Sequence, residues 1–353
     1  MSLKNLRHKI DALDQKIIRF LNARTEISLD IAKFKLKSGK SVYSADRERQ
    51  VLRKIVGINK GPLKPPALEA IYREIMSSSL ALSSPLKIAY LGPQATFTHL
   101  AALKRFGSQV EYLPCNSISD CFLEVEKGNA AYGVIPIENS IEGVVTHTLD
   151  MFMDSDLKIC AQVILDVAHN LLANYAQDKI KRIYSNPQVF GQCRIWLQNN
   201  LPLAEQIEVS STTRAAQVAS KEKFSACIAS LLAAKVYKLK VVASDIEDSP
   251  HNITRFMVIG KTDAGSTGYD RTSIMFSIKD RVGALHEMLI PFKKYKINLT
   301  RIESRPSKRK AWDYYFFVDL EGHQGLANVK KALSELEGKC NFLKVLGSYP
   351  VGD

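Results

Sequence analysis

Residues 3–37, LKNLRHKIDALDQKIIRFLNARTEISLDIAKFKLK, read as one long amphipathic helix that ends only at the SGKS turn over 38–41. Leu13, Ile17, Leu21, Ile27/Ser28, Ile31 and Phe34/Lys35 recur at spacings of three or four, and Arg24 falls on the same line. An unpaired cation in an apolar seam is expensive, so Arg24 needs an anionic partner: Asp30, Asp46, Glu48 or a bound ligand. At about 100° per residue Arg24 and Lys35 share a face, roughly 16 Å apart along the axis. Arg7 lies about 26 Å before Arg24 and is turned about 100° away, so one small molecule cannot touch both on one straight helix. Two readings remain. Either Arg7 is a surface residue and Arg24 snorkels, or Arg7 enters the pocket from a second copy of the chain in an intertwined antiparallel dimer.

A second helix begins after Asp46 and ends before Gly57, the segment NKGPLKPP interrupts, and a third runs from about Ala67 to Leu82. Residues 1–84 thus form an all-α three-helix unit. From Leu86 the pattern changes: KIAYLG, YGVIPI, IYSN, ACIAS and TRFMVIG are short strands with helices between them, which predicts an α/β domain over 86–262 with a largely parallel sheet. DAGSTGYD, at 263–270, reads as a flexible linker. Residues 271–353 follow the order βαββαβ of a ferredoxin-like α+β module, its strands including 297–306 and 311–320.

The net charge of +13 is unevenly placed: residues 1–84 hold 17 Lys and Arg against 8 Asp and Glu. A basic helical face is commonly just solvated; a pocket for a small anion is the alternative, and nucleic acid fits poorly because no aromatic platform or reader motif accompanies the charge. Six scattered cysteines, with no CxxC pair, suggest neither a zinc site nor a disulfide framework. No stretch has the character of a secretory signal or a membrane span, so a soluble cytoplasmic protein is expected.

In the middle domain three apolar strands run into hydroxyl-rich helix starts: YLGPQATFTH, IYSNPQVFGQC and VSSTTRAAQ. Each alone is an ordinary N-cap, but three together favour a pocket for several anionic groups, because helix N-termini present free N–H donors.

These motifs also carry resemblances. LRHKIDALDQKIIRFLNAR, IAKFK, ADRERQVL and IYREIMSSSLAL resemble the helical chorismate mutase family across residues 1–83. The resemblance implies that Arg7, Arg24, Lys35, Arg47 and Glu48 line one site, with Arg7 donated by the partner subunit. The arginines would grip the two carboxylates of chorismate, Lys35 would donate to its ether oxygen and Glu48 would accept from the ring hydroxyl. Two positions depart from the family: Ser83 stands where Gln or Glu is usual at the ether oxygen, and Ser44 where Asp is often found.

GPQATFTH, IPIENSIEGVVTHTLD and NITRF, with SNPQ and SSTTRAA between them, resemble the prephenate dehydratase family over 86–261. That implies two α/β lobes around a cleft, as in periplasmic binding proteins. Thr254 would assist the leaving hydroxyl, while Glu138, Asn139, Ser140, Ser185, Gln192, Thr96, Thr213 and Arg255 would bind substrate. Ala95 replaces a usual Gly and Asn186 a common His.

The last module resembles an ACT regulatory domain, in which VGALHEML and RIESRP match the pair that binds phenylalanine. Gly283, Ala284 and Leu285, with Glu303, Ser304, Arg305 and Pro306, are the implied effector residues. Taken together, these resemblances imply a multidomain enzyme that takes chorismate to prephenate and prephenate to phenylpyruvate. It would use no metal or organic cofactor, respond to phenylalanine, and assemble as a homodimer or higher homo-oligomer without nucleic acid or membrane. The rivals are a dehydratase whose helical unit only dimerises or senses a ligand, and a non-enzymatic amino-acid-binding regulator.

Overall fold

The computed structural model describes residues 2–39, 41–83, 86–249, 251–278, 281–306 and 314–351. Three helices come first: α1 Leu3–Lys37, α2 Ala45–Ile58 and α3 Pro65–Ser83. Ser2 caps α1 by accepting from the Asn5 amide, and Lys35 and Lys37 sit in its last turn, where cations suit the helix dipole. Helix α2 continues one residue past Gly57, a position with open space around it, so the expected stop before that glycine is not used. In the turn expected over 38–41, Lys40 lies outside the described residues.

The middle domain is built on two sheets, and along the five-strand path of each, four strands run one way and one runs against its neighbours. The first runs Glu111–Cys115, Lys87–Leu91, Tyr132–Asn139, Ile253–Gly260, Lys158–Asp166, with Gly143–Val144 added beside Tyr132–Asn139. Its first three strands are parallel, but Ile253–Gly260 is antiparallel to both its neighbours. The second runs Lys240–Ala243, Asn170–Ala173, Ser225–Ala229, Arg182–Ser185, Glu205–Glu208, again mixed. The antiparallel strands arise because the chain leaves the first lobe after Asp166 and returns to it only at Ile253, crossing back in the opposite sense. Two lobes result, as the resemblance implied.

The C-terminal module has the expected βαββαβ order and a four-stranded antiparallel sheet, Leu299–Pro306, Tyr314–Glu321, Asp270–Ser277, Phe342–Pro350. Residues 311–313 of the strand expected over 311–320 lie outside the described residues. The helices Ala284–Lys294 and Ala327–Glu337 cover one face through Ile274, Phe276, Met288, Phe292, Val318 and Leu336.

The first-lobe sheet is the centre of the molecule, because both other units pack on it. One face shares a core with the C-terminal sheet, in which Ile135, Ile137, Met257 and Ile259 meet Met275, Phe317, Leu346 and Tyr349. The opposite face carries the helix Phe97–Phe106 and receives Tyr43 and Ala45 from the helical unit, packed with Ile88, Tyr90, Tyr132 and Phe256. The 263–270 stretch is no free linker. The buried Asp270 carboxylate accepts from the Thr267 and Gly268 amides and from the Ser266 and Thr267 hydroxyls. Gly265 lies so close to Asp46 that a β-carbon there would come within 2.7 Å of its carboxylate. A carboxylate collecting four donors replaces the flexibility that Gly and Ser suggest.

No helix among the described residues is long and apolar enough to cross a membrane. All six cysteines are free thiols, and no group of ligating side chains that could hold a metal occurs among the described residues.

Two candidate active sites

A cavity of about 490 Å³ opens between the three helices and the first lobe. Arg24, Lys35, Arg47, Glu48 and Ser83 all line it, so five of the six residues expected there converge. Arg24 projects from α1 between helices, its Nη1 3.3 Å from Ser79 Oγ on α3, and it forms no ion pair among the described residues. Lys35 Nζ donates to the Val42 carbonyl at 2.9 Å. Glu48 is buried at 9 % exposure and pairs with Arg105 Nη2 at 3.3 Å. Arg105 was not foreseen: it belongs to the helix Phe97–Phe106 of the next domain. Arg73 also lines the cavity. Ser83 is on the wall, but its hydroxyl donates back to the Ser79 carbonyl within α3. Ser44 donates to Asp46 rather than capping α2.

Arg7 is absent from this cavity, exposed on the far half of α1. Around it the whole apolar stripe is bare: Leu6, Ile10, Leu13 and Ile17 are between 43 % and 57 % exposed. In the 35-residue helix only Ala32 is buried.

The second site lies at the adjoining ends of the two lobes. Thr254, on the returning strand, pairs in register with Asn139. Asn139 Nδ2 donates to Thr254 Oγ1 at 2.8 Å and to Asn252 Oδ1 at 2.7 Å, while its Oδ1 accepts from the Ile141 and Glu142 amides. The Thr254 oxygen is thus an acceptor within the protein and keeps its own O–H to donate. From the other lobe, Gln192 Oε1 accepts from Asn252 Nδ2 at 3.1 Å and its Nε2 donates to Glu142 at 3.1 Å. With its oxygen turned this way, Gln192 requires the proton of His169 on Nε2, 2.7 Å away. Burial pushes the His169 ring below its ordinary value, against the opposing effect of the Gln192 bond, which keeps it neutral near pH 7.

The three expected helix starts are present. Thr96, Asn186 and Ser211 each accept from the amide three residues on. Thr213, next to the third, is 2 % exposed and its hydroxyl has no partner among the described residues. Ser140 and Ser185 are used internally: Ser140 staples its loop to His251 and Ile253, and the fully buried Ser185 donates to the Ile228 carbonyl.

Glu138 and Arg255 are not brought to Thr254. Side chains alternate along a strand, so the residues beside Asn139 and Thr254 emerge on the opposite face, toward the C-terminal sheet. There Arg255 Nη1 meets Asp319 at 2.6 Å, Nη2 donates to Tyr349 Oη at 2.8 Å and Nε to Gln162 at 3.1 Å. Burial alone would lower the Arg255 pKa; Tyr349, Asp319 and Glu138 outweigh it and hold the guanidinium above its ordinary value. Glu138 lies 3.5 Å from Arg301 Nε of the C-terminal module. The motif context that pointed to both residues carries no information about which face they take.

The remaining expected residues lie in the C-terminal module. Gly283, at φ +78°, precedes the helix that starts at Ala284, a conformation glycine tolerates. Along Leu299–Pro306 the exposure alternates. Ser304 and Pro306 are exposed, Glu303 and Arg305 half-buried, and Arg305 Nη2 sits 3.5 Å from Asp150 on the first-lobe helix Thr146–Asp154.

Comparison with known proteins decides the family. The chorismate mutase type II model matches residues 6–84, the prephenate dehydratase model 88–264 and the ACT domain model 272–338. A bifunctional chorismate mutase/prephenate dehydratase from Aquifex aeolicus is 49% identical, over 99% of this chain and 98% of its own length. The chain belongs to the bifunctional chorismate mutase/prephenate dehydratases. The Pseudomonas aeruginosa relative of the same description is 45% identical over 99% of this chain and 97% of its own. Among solved structures, a prephenate dehydratase from Arthrobacter aurescens in complex with L-Phe superposes with a TM-score of 0.71 at 33% identity, covering 75% of this chain and 90% of that one. That match leaves about a quarter of the present chain uncovered.

Proposed function

We propose that the chain converts chorismate to prephenate in the inter-helix cavity and prephenate to phenylpyruvate in the inter-lobe cleft, under feedback control by phenylalanine. The first reaction is a Claisen rearrangement that needs no nucleophile, only a chair-like conformer and support for charge growing on the ether oxygen. Arg24 and Arg47 bind the carboxylates, Lys35 donates to the ether oxygen and Glu48 accepts from the ring hydroxyl. One observation carries this reading: a cavity of about 490 Å³ lined by three cationic side chains on α1 and α2 together with a buried carboxylate. A helical unit kept only for dimerisation has no need of it.

In the cleft, the ring carboxylate leaves as carbon dioxide and its electron pair aromatises the ring, expelling the hydroxyl, which takes up a proton and departs as water. Thr254 donates a hydrogen bond to that oxygen, and Asn139 holds Thr254 in position. The Thr213 hydroxyl, without a partner among the described residues, and the capped helix start beside it suit a substrate carboxylate. Glu138 and Arg255 serve the domain junction instead of the substrate.

A second copy of the chain completes the first site. The bare apolar stripe of α1 is larger than a monomer normally leaves in water, and an antiparallel partner helix that covers it carries Arg7 to the cavity. Phenylalanine binds through Gly283, Ala284 and Leu285 together with the strand residues Glu303, Ser304, Arg305 and Pro306. A coupled assay from chorismate, with and without phenylalanine, tests the whole scheme. Accumulation of phenylpyruvate that phenylalanine suppresses is expected; failure to consume chorismate removes the first half, and a curve flat in phenylalanine removes the effector.

A further inference from the structure

Glu48 is the acidic residue of the chorismate cavity, and the cation beside it comes from outside the helical unit. We infer that Arg105, carried by the dehydratase domain, is a positioning residue of the mutase site, so that in this chain the mutase is built from two domains. The inference rests on the proposed assignment of that cavity.

The helix Phe97–Phe106 lies on the first-lobe sheet and delivers Arg105 in its last turn, 7 % exposed, into the cavity wall. Glu48 and Tyr43 both hold the guanidinium. Its Nη2 is 3.3 Å from Glu48 Oε2, and its Nε donates to Tyr43 Oη at 2.8 Å, with the ring of Tyr43 alongside, 5.9 Å from its centre. Burial holds the Tyr43 hydroxyl well above its ordinary pKa, so it stays a neutral acceptor for that bond. Tyr43 is itself fixed, its ring 5.0 Å from Phe106 and 5.1 Å from Tyr132. The chain just beyond is clamped to α3: Ser108 and Gln109 amides donate to Glu74 and Ser77, and Gly107, at φ +75°, approaches Ser77 too closely to admit a β-carbon. These contacts around Arg105 therefore join the two domains.

A carboxylate buried as deeply as Glu48 keeps one orientation only beside a fixed cation. Among the described residues the ion pair Glu48 makes is with Arg105. Removing the guanidinium leaves Glu48 free to turn toward the cationic side chains that should hold substrate, and an acceptor misplaced by about 1 Å costs on the order of 100-fold in rate.

The test uses the full chain and measures two reactions in each preparation: chorismate consumption, and turnover of supplied prephenate. Arg105→Met should lose about 100-fold in kcat for chorismate and retain prephenate turnover, which reports that the domain carrying residue 105 is folded. Arg105→Lys, which keeps the charge, should recover most of the loss. Since Arg105 acts through Glu48, adding Arg105→Met to Glu48→Gln should slow the reaction no further. Undiminished chorismate turnover in Arg105→Met overturns the inference. So does a loss on top of Glu48→Gln equal to that in the wild-type background, or a parallel loss of both reactions in Arg105→Met and Arg105→Lys, which marks a purely structural residue. If Glu48→Gln is itself silent, the cavity assignment fails instead.

Discussion

Single residues explain the departures from the family pattern. Ser83 reaches the cavity but spends its proton on the Ser79 carbonyl, leaving Lys35 as the one foreseen donor to the ether oxygen. Replacing Ser83 with Gln should restore a second donor and raise the mutase kcat about tenfold or more; an unchanged kcat for chorismate would show that Lys35 suffices. Ala95 sits at φ +72°, where a β-carbon is strained, yet its methyl is 1 % exposed in the second-lobe core with Leu172 and Tyr184. Packing across the lobes offsets the strain, which accounts for alanine where glycine is usual. Histidines set the acid limit. Burial lowers the pKa of both His99 and His169 from the ordinary 6.5. Below that pH the unfolded chain binds protons that the folded rings resist, so stability present above about pH 6.5 is lost as pH falls. Thermal unfolding should shift to lower temperature between pH 7.5 and 5.5, and His169→Gln should flatten the slope.

Among the elements, the helix Phe97–Phe106 joins the two sites: it begins at Thr96, at one of the dehydratase helix starts, and ends at Arg105, on the mutase cavity, about 15 Å away. Helix α1 poses the opposite case, a long element with little of its own chain to pack on. Its exposed stripe predicts a dimer in which Arg7 and Arg24 of one site come from different copies. Arg7→Ala and Arg24→Ala should each lose mutase activity as purified proteins. Equal mixtures, unfolded and refolded together, should regain about a quarter of wild-type turnover, because half the dimers are mixed and one of their two sites is intact. A mixture no more active than its components would place both arginines in the same subunit's site, or neither in any.

Across the whole molecule, the strand carrying Thr254 is tied to the ACT sheet by a buried ion pair as well as by their shared core. Thr254 and Arg255 are neighbours on the strand Ile253–Gly260; one faces the cleft and the other grips Asp319 and Tyr349. Any shift of the ACT sheet is therefore felt one residue from Thr254. Asp319→Ala strands a buried guanidinium and should cost about 3 kcal/mol of unfolding free energy, while phenylalanine inhibition of prephenate turnover weakens at least tenfold. Retained inhibition would put the coupling elsewhere. Much of this enzyme was already legible in its residues: helix periodicity announced the all-α unit, the βαββαβ order announced the ferredoxin-like module, and Arg24 within an apolar stripe left an anion site as one of two readings. Local spacing carries that information because a side chain's face follows from its position in a helix or strand. What spacing cannot contain is which surfaces meet. Only the tertiary structure turned Glu138 and Arg255 away from the cleft, tied the 263–270 stretch to Asp270, and set Arg105 of one domain against Glu48 of another, since burial and pairing depend on neighbours distant in the chain.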